Sequence, residues 1–205
     1  MIEMEGHLQS IIFLQKHIRG YLSRKNILIP SAYYQTKIWR RNRSWYKNGK
    51  SNECEKYQIK TIEKITGITL YKTDDRMCFE TNEIYDIRHP NKQINGYDIS
   101  ENFDGKVFLN DNTIYFNLKF VCDKGGSQTR TLREVYHFIK CQLDYLVSTK
   151  NHKTYFINIL DGDTTYENID KFMYLSGKDK YKRICEYMFI GSLQEFQKIK
   201  NNFGF

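Results

Sequence analysis

Proline is scarce in this chain, with two among 205 residues, so no rigid proline-rich linker divides it. The five cysteines, Cys54, Cys78, Cys122, Cys141 and Cys185, are scattered, and no CxxC pair occurs. That spacing supplies neither a disulfide framework nor a zinc knuckle and reads as reduced thiols of an intracellular protein, in cytoplasm or nucleus. Long apolar runs are missing too. The SIIFL stretch near the N-terminus is too short for a membrane span and lacks a cleavage-site pattern, so neither export nor membrane anchorage is expected. Internal repeats and low-complexity tracts are absent.

What is present describes one globular domain with a small appendage. Hydrophobic residues make up 40% and aromatics 15% of the chain, enough to bury a core. There are 32 Lys and Arg against 24 Asp and Glu, a net charge of +8. That excess favours a polyanionic partner such as nucleic acid, through phosphate neutralisation and counterion release.

Along the chain, LQSIIFLQKHIRGYLSRKNIL (residues 8–28) reads as a basic amphipathic helix ending near Pro30. An aromatic and basic segment with a short helix follows. SNECEKYQIKTIEKITG predicts a helix capped by Ser51 or Asn52, with Glu53 and Glu55 at its positive end and Gly67 after its last turn. ITLYKTD and RMCFET read as strands, and DIRHPNKQINGYDISEN as irregular. Two strands then flank Asn110-Asp111-Asn112. GGSQTRTLREVYHFIKCQLDYLV is the strongest helix, with Leu132, Val135, Ile139, Leu143 and Leu146 on one stripe and Thr131 with Glu134 in a capping-box pattern. KTYFINIL reads as a buried strand, IDKFMYL as a helix, EYMFI as a last strand and SLQEFQKIK as a closing helix. This order implies an α/β fold in which a central mixed sheet is flanked by helices.

The hairpin FDGKVFLNDNTIYFNLK carries the chemistry. Alternation puts Ile114, Phe116, Leu118 and Phe120 on a core face and Tyr115, Asn117 and Lys119 on the other. With Asp111-Asn112 as the two-residue turn, Asp104 lies across from Lys119 and Lys106 from Asn117. A one-residue slip puts Asp104 opposite Leu118. Either way a carboxylate, an amide oxygen and an ammonium gather, a set suited to metal-assisted phosphodiester hydrolysis. Magnesium, or manganese in its place, takes oxygen ligands. Asp104 is the principal candidate, Asn117 a weaker neutral one, and Lys119 positions water or stabilises the phosphorane. The alternative is a plain hairpin with polar residues on one side.

Asp104 followed by a strand bearing Asn117-Leu118-Lys119 resembles the PD-(D/E)XK core of the restriction-endonuclease-like nucleases, over roughly residues 51–192. The resemblance implies an acidic residue on a preceding helix, a position that Glu55 fits as a further metal ligand. Glu101 is a second supporting acid. Gln142-Leu-Asp-Tyr145 loosely resembles the glutamine–tyrosine motif of RecB-type members. Asn117 departs from the pattern, since the family has Asp or Glu there, and a neutral amide binds a hard dication less well. The implied activity is a Mg2+- or Mn2+-dependent endonuclease on double-stranded DNA. RNA stays open as a substrate, a homodimer would cut both strands, and a catalytically inactive DNA-binding relative is the alternative.

Gly125-Gly126 allows close backbone approach beyond the lysine strand. Lys124, Gln128 and Arg130 stand at or just before a helix start, where free N–H groups favour phosphate, and Gln128 is placed near substrate. WRRNRSWYKNGK interleaves Arg40, Arg41, Arg43, Lys47 and Lys50 with Trp39, Trp45 and Tyr46, which suits phosphate contact with stacking. The first helix carries Leu14-Gln15, Arg19-Gly20, Arg24 and Ile27 and resembles the IQ motif bound by calmodulin and related EF-hand proteins. An apolar stripe would enter an EF-hand groove while Arg19 and Arg24 meet its acidic rim. A basic helix packed on its own domain is the other reading. The expected division is thus an IQ-like helix over residues 1–30 and a nuclease-like domain over residues 31–205.

Overall fold

The computed structural model describes residues 29–41, 52–85, 100–122, 125–149 and 153–205, leaving aside the side chains of residues 39–41 and 52. The helix expected over residues 8–28, with Gln15, Arg19, Gly20 and Arg24, lies outside the described residues. So do Arg43, Lys47, Lys50 and Lys124, and the side chains of Arg40 and Arg41.

Helix α1 spans Ala32–Arg41 and α2 spans Asn52–Thr66. Glu53 and Glu55 occupy the first turn of α2 as their charge favours. Gly67, at φ 76°, closes the helix with its N–H donating to the Glu63 carbonyl at 2.8 Å. The strand expected over residues 68–74 reduces to a single bridge between Tyr71 and Lys106. Side chains take other backbone N–H groups of the segment: Leu70 donates to Glu63 Oε1 at 3.1 Å and Ile68 to Thr66 Oγ1 at 3.2 Å.

Strands β1 (Arg76–Cys78), β2 (Ile84–Tyr85) and β3 (Ser100–Asn102) form a small antiparallel sheet ordered β2-β1-β3. The strand expected over residues 76–81 therefore stops at Cys78, and the chain turns through Asn82, at φ 56°. Asp75 clamps this sheet to the hairpin that follows. Its Oδ2 meets Lys106 Nζ at 2.7 Å and the Tyr115 hydroxyl at 2.9 Å.

The hairpin is β4 (Gly105–Leu109) and β5 (Asn112–Phe120). Its turn is Asn110-Asp111, both left-handed at φ 50° and 63°, the geometry of a type I′ turn. The expected turn, Asp111-Asn112, is one residue too late. Lys106 accordingly pairs with Tyr115 rather than Asn117, and Asp104 precedes the regular ladder instead of facing Lys119 or Leu118. Helix α3 (Gly126–Ser148) then crosses over to β6 (Thr154–Asp161), parallel to β5, and β7 (Met188–Gly191) adds parallel to β6. The main sheet is mixed, ordered β4-β5-β6-β7.

Helix α3 starts earlier than the capping pattern indicates. Its N-cap is Gly125, with no side-chain cap, and Thr131 lies inside the helix with its hydroxyl donating to the Ser127 carbonyl. A true capping box sits at Ser192 and Glu195, opening α6 (Leu193–Ile199). Between β6 and β7 run α4 (Asp163–Tyr166), α5 (Ile169–Ser176) and a 3-10 segment, Asp179–Tyr187, which takes Glu186 and Tyr187 from the expected last strand. The β6–α4 corner depends on Gly162, at φ 97°, because a Cβ there would sit 2.2 Å from the Val121 carbonyl oxygen.

Two apolar layers enclose the sheet. Ile114, Phe116, Leu118, Ile157 and Ile159 face Ile62 and Ile65 of α2 and Leu193 and Phe196 of α6. Tyr115 and Phe156 face Phe103 and the α3 stripe Val135, Phe138, Ile139, Leu143 and Leu146. The fold is α/β, a four-stranded mixed sheet flanked by helices, as expected. The second face of β5 is enclosed as well: Tyr115 and Asn117 are both buried. His137 is exposed on α3. None of the five cysteines forms a disulfide. Among the described residues no helix is long and apolar enough to cross a membrane.

Candidate active site

Lys119 ends the regular part of β5 on the α3 side, and three segments bring charge to it. Glu101 of β3 pairs with its Nζ at 3.2 Å. Asp104 comes from the bend before β4, and Glu55 from the first turn of α2; both act electrostatically on Lys119. Burial alone would lower the Lys119 pKa, but Asp104, Glu101 and Glu55 outweigh it and hold the ammonium above its ordinary value. Asp104 is pushed up to about 6, by burial first, against the pull of Lys119 and the Leu118 N–H, with Glu55 and Glu101 pushing it further. Three carboxylates share one ammonium, so the cluster is short of positive charge.

Asp104 is fixed by backbone on both sides of Asn117. Its N–H donates to the Phe116 carbonyl at 2.9 Å, and its Oδ2 accepts the Leu118 N–H at 2.6 Å. That carboxylate replaces the carbonyl that a continued ladder would have supplied, which is why β4 begins only at Gly105. Asn117 itself is 1% exposed. Its Nδ2 donates to Asn158 Oδ1 at 2.8 Å, and its Oδ1 is buried without a hydrogen-bond partner among the described residues.

A small cavity of about 50 Å3 opens beside Lys119, lined by Glu101, Thr131, Glu134, Val135 and Phe138. It is large enough for a water molecule. Among the described residues no three His, Cys, Asp or Glu side chains stand close enough together to hold a metal ion. The candidate donors are nonetheless all oxygen: the carboxylates of Asp104 and Glu101 and the unpaired amide oxygen of Asn117, with Glu101 alone of these lining the cavity. That composition fits a hard dication such as Mg2+, which keeps several waters. Cys54, beside Glu55, is not a thiolate at neutral pH: burial, then Cys122, push it up to about 11.

The remaining candidates do not join this cluster. Gln128 is half-buried in the first turn of α3, with its Oε1 taken by the Ser127 hydroxyl at 2.8 Å. It lines a larger cleft of about 730 Å3 between α3 and α4–α5, with Leu132, Tyr136, Phe172 and Tyr174. On the helical wheel that stripe is well separated from Thr131, Glu134 and Phe138, so Gln128 and Lys119 serve different cavities. Arg130 is exposed near the same helix start.

Four residues near the cluster escaped the sequence reading as site residues. Glu134 lines the Lys119 cavity but reads in sequence as a capping acid. Gln58 Nε2 bridges the Lys119 carbonyl at 3.2 Å and Asp161 Oδ2 at 2.8 Å. Asp161 is fully buried, and burial pushes it up to about 7 against the donors Gln58, Leu193 N–H and Gln35. Asn158 stands directly across the parallel ladder from Asn117. A lone polar residue inside the apolar run FINIL is the signal that could have marked it.

Comparison with known proteins adds one finding, located in the N-terminal segment. The family described as the IQ calmodulin-binding motif matches residues 8–28. No curated protein and no solved structure matches the chain.

Proposed function

We propose that the chain couples an EF-hand-binding segment, residues 8–28, to an α/β domain that hydrolyses nucleic-acid phosphodiesters. The match to the IQ calmodulin-binding motif carries the first part. Leu14 and Ile27 supply apolar anchors for an EF-hand groove, and Arg19 and Arg24 supply cations for its acidic rim. The full chain is expected to form a one-to-one complex with calmodulin in calorimetry, with and without calcium. Arg19→Ala should weaken it markedly; retention of wild-type affinity in an Arg19→Ala, Arg24→Ala double variant would refute this assignment.

The second part rests on the convergence of Asp104, Glu101 and Glu55 on Lys119 beside an unpaired Asn117 oxygen. It is a restriction-endonuclease-like reading of the domain, with double-stranded DNA as the substrate class, Arg40, Arg41 and Arg43 as backbone contacts, and a homodimer where both strands are cut. Asp104, with Asn117 and Glu101 or Glu55, would hold Mg2+ or Mn2+, which when bound neutralises the scissile phosphate and acidifies water. Lys119 exchanges Glu101 for the phosphate and meets the charge that builds on its oxygens. Glu101, released from the lysine, is then a carboxylate within reach of a water proton. Supercoiled plasmid incubated with Mg2+ should be nicked or linearised, and Lys119→Ala and Asp104→Ala should each remove the activity. A shift of DNA mobility with no cutting in any divalent ion would make the domain a DNA binder, and cutting of RNA alone would reassign the substrate.

A further inference from the structure

Asn117, Asn158 and Gln142 form a chain of carboxamides buried between the sheet and α3. Asn117 Nδ2 donates to Asn158 Oδ1 at 2.8 Å, and Asn158 Nδ2 donates to Gln142 Oε1 at 2.8 Å. All three residues are at most 1% exposed. In such a chain every amide can turn over together, exchanging oxygen for nitrogen at each link, and the two polarities would be nearly equal in energy. One contact breaks that symmetry. Asn158 Nδ2 also donates, at 3.4 Å, to the backbone carbonyl of Phe189 on β7, and a carbonyl cannot become a donor. Turning Asn158 over would set its oxygen against that carbonyl. Its nitrogen therefore stays toward β7 and its oxygen toward β5.

The consequence falls on Asn117. Its nitrogen must face Asn158 on the β6 flank, so its oxygen lies on the opposite flank, where β4 runs. On that flank Asp104 is bonded to the backbone of both residues adjoining Asn117. The orphaned oxygen, and not the nitrogen that would repel a cation, is thus the amide atom turned away from β6, toward the strand that the principal carboxylate of the cluster precedes.

We infer that Asn158 is a positioning residue: held by the Phe189 carbonyl, it orients the Asn117 amide so that an oxygen, not an N–H, faces a divalent cation at Asp104. This rests on the metal-site reading above and assigns to β6 a role in it. The departure from a carboxylate at position 117 is compensated by an amide that is not free to turn. Replacing an outer partner of this kind lowers metal affinity by about 10–100-fold.

The test is Mn2+ binding to the full chain without DNA, read by calorimetry and by the paramagnetic resonance of free Mn2+, with thermal unfolding as a check of folding. Asn158→Leu should weaken Mn2+ by about tenfold or more. In an Asn117→Leu background, Asn158→Leu should cause no further loss, because it acts only through the amide it orients. Asn117→Asp offers oxygen in either orientation and should bind Mn2+ more tightly than the natural chain even if Asn158→Leu fails to fold. Wild-type Mn2+ affinity in Asn158→Leu, an equal loss in both backgrounds, or no gain in Asn117→Asp would each overturn the inference while leaving the metal site standing. Absence of Mn2+ binding by the natural chain would overturn both.

Discussion

The two faces of β5 differ in kind although they alternate along one strand. Ile114, Phe116 and Leu118 belong to an apolar cluster with side chains of α2 and α6, the packing that makes a sheet and helix one body. Tyr115 and Asn117 are buried too and Lys119 is half-buried, but each is tied to a polar partner: Asp75, Asn158 and Glu101. The first face is held by area removed from water. The second is held by hydrogen bonds whose net stabilisation is small and whose loss leaves a buried group unpaired. Burial alone therefore does not separate scaffold from site in this sheet; the identity of the partner does.

Substitutions on the two faces can sharpen or break this contrast. Phe116→Ala removes a ring that is 0% exposed and packs edge-on against Phe196 at 6.2 Å. It should cost about 3–5 kcal/mol in denaturant unfolding, and a loss below about 1 kcal/mol would mean that this face is not the main support. Asp161 is a buried carboxylate set against α2 and α6, bonded to Gln58 and the Leu193 N–H. With its folded pKa raised to about 7, the unfolded chain releases this proton first. Stability is then fullest below about pH 4, the ordinary aspartate range, and declines as pH rises through about 7. Asp161→Asn keeps the acceptor and removes the charge, so its melting temperature should exceed that of the natural chain at pH 8 and converge with it at pH 4. A constant difference across that range would contradict the assignment.

The smallest effect is expected on the polar face. Asn117→Leu removes one orphaned acceptor and creates another, Asn158 Oδ1, so the net change in unfolding free energy should stay below about 2 kcal/mol. A loss as large as that of Phe116→Ala would place Asn117 in the scaffold and erase the distinction between the faces.

Much of the scaffold was legible because it is periodic. The α3 stripe, the acids opening α2, Gly67 and the apolar run of β6 all stand where pattern and capping put them. The hairpin register was not legible. Asn110-Asp111-Asn112 offers two adjacent pairs able to adopt positive φ, and no glycine chooses between them. Strands of two or three residues, such as Ile84–Tyr85, carry no period to detect. The start of α3 was hidden by a polar first turn, Gly126 to Arg130, that has no apolar stripe. At the site, Glu55, Glu101, Asp104 and Lys119 could be nominated by residue type, and the fold gathers them. The burial of Asn117 could not be foreseen, because the amide that satisfies its nitrogen arrives 41 positions later in the chain.

That separation sets an order of events. Asn117 and Asn158 stand on either side of the crossover helix, Gly126–Ser148, so neither amide meets the other until the loop through that helix has closed. A chain emerging from the ribosome can complete the β4–β5 hairpin from neighbouring residues alone, while the parallel pairing with β6 must wait for distant sequence. Only a finished sheet can lock the amide, and the charged corner beside Lys119 acquires its final polarity last.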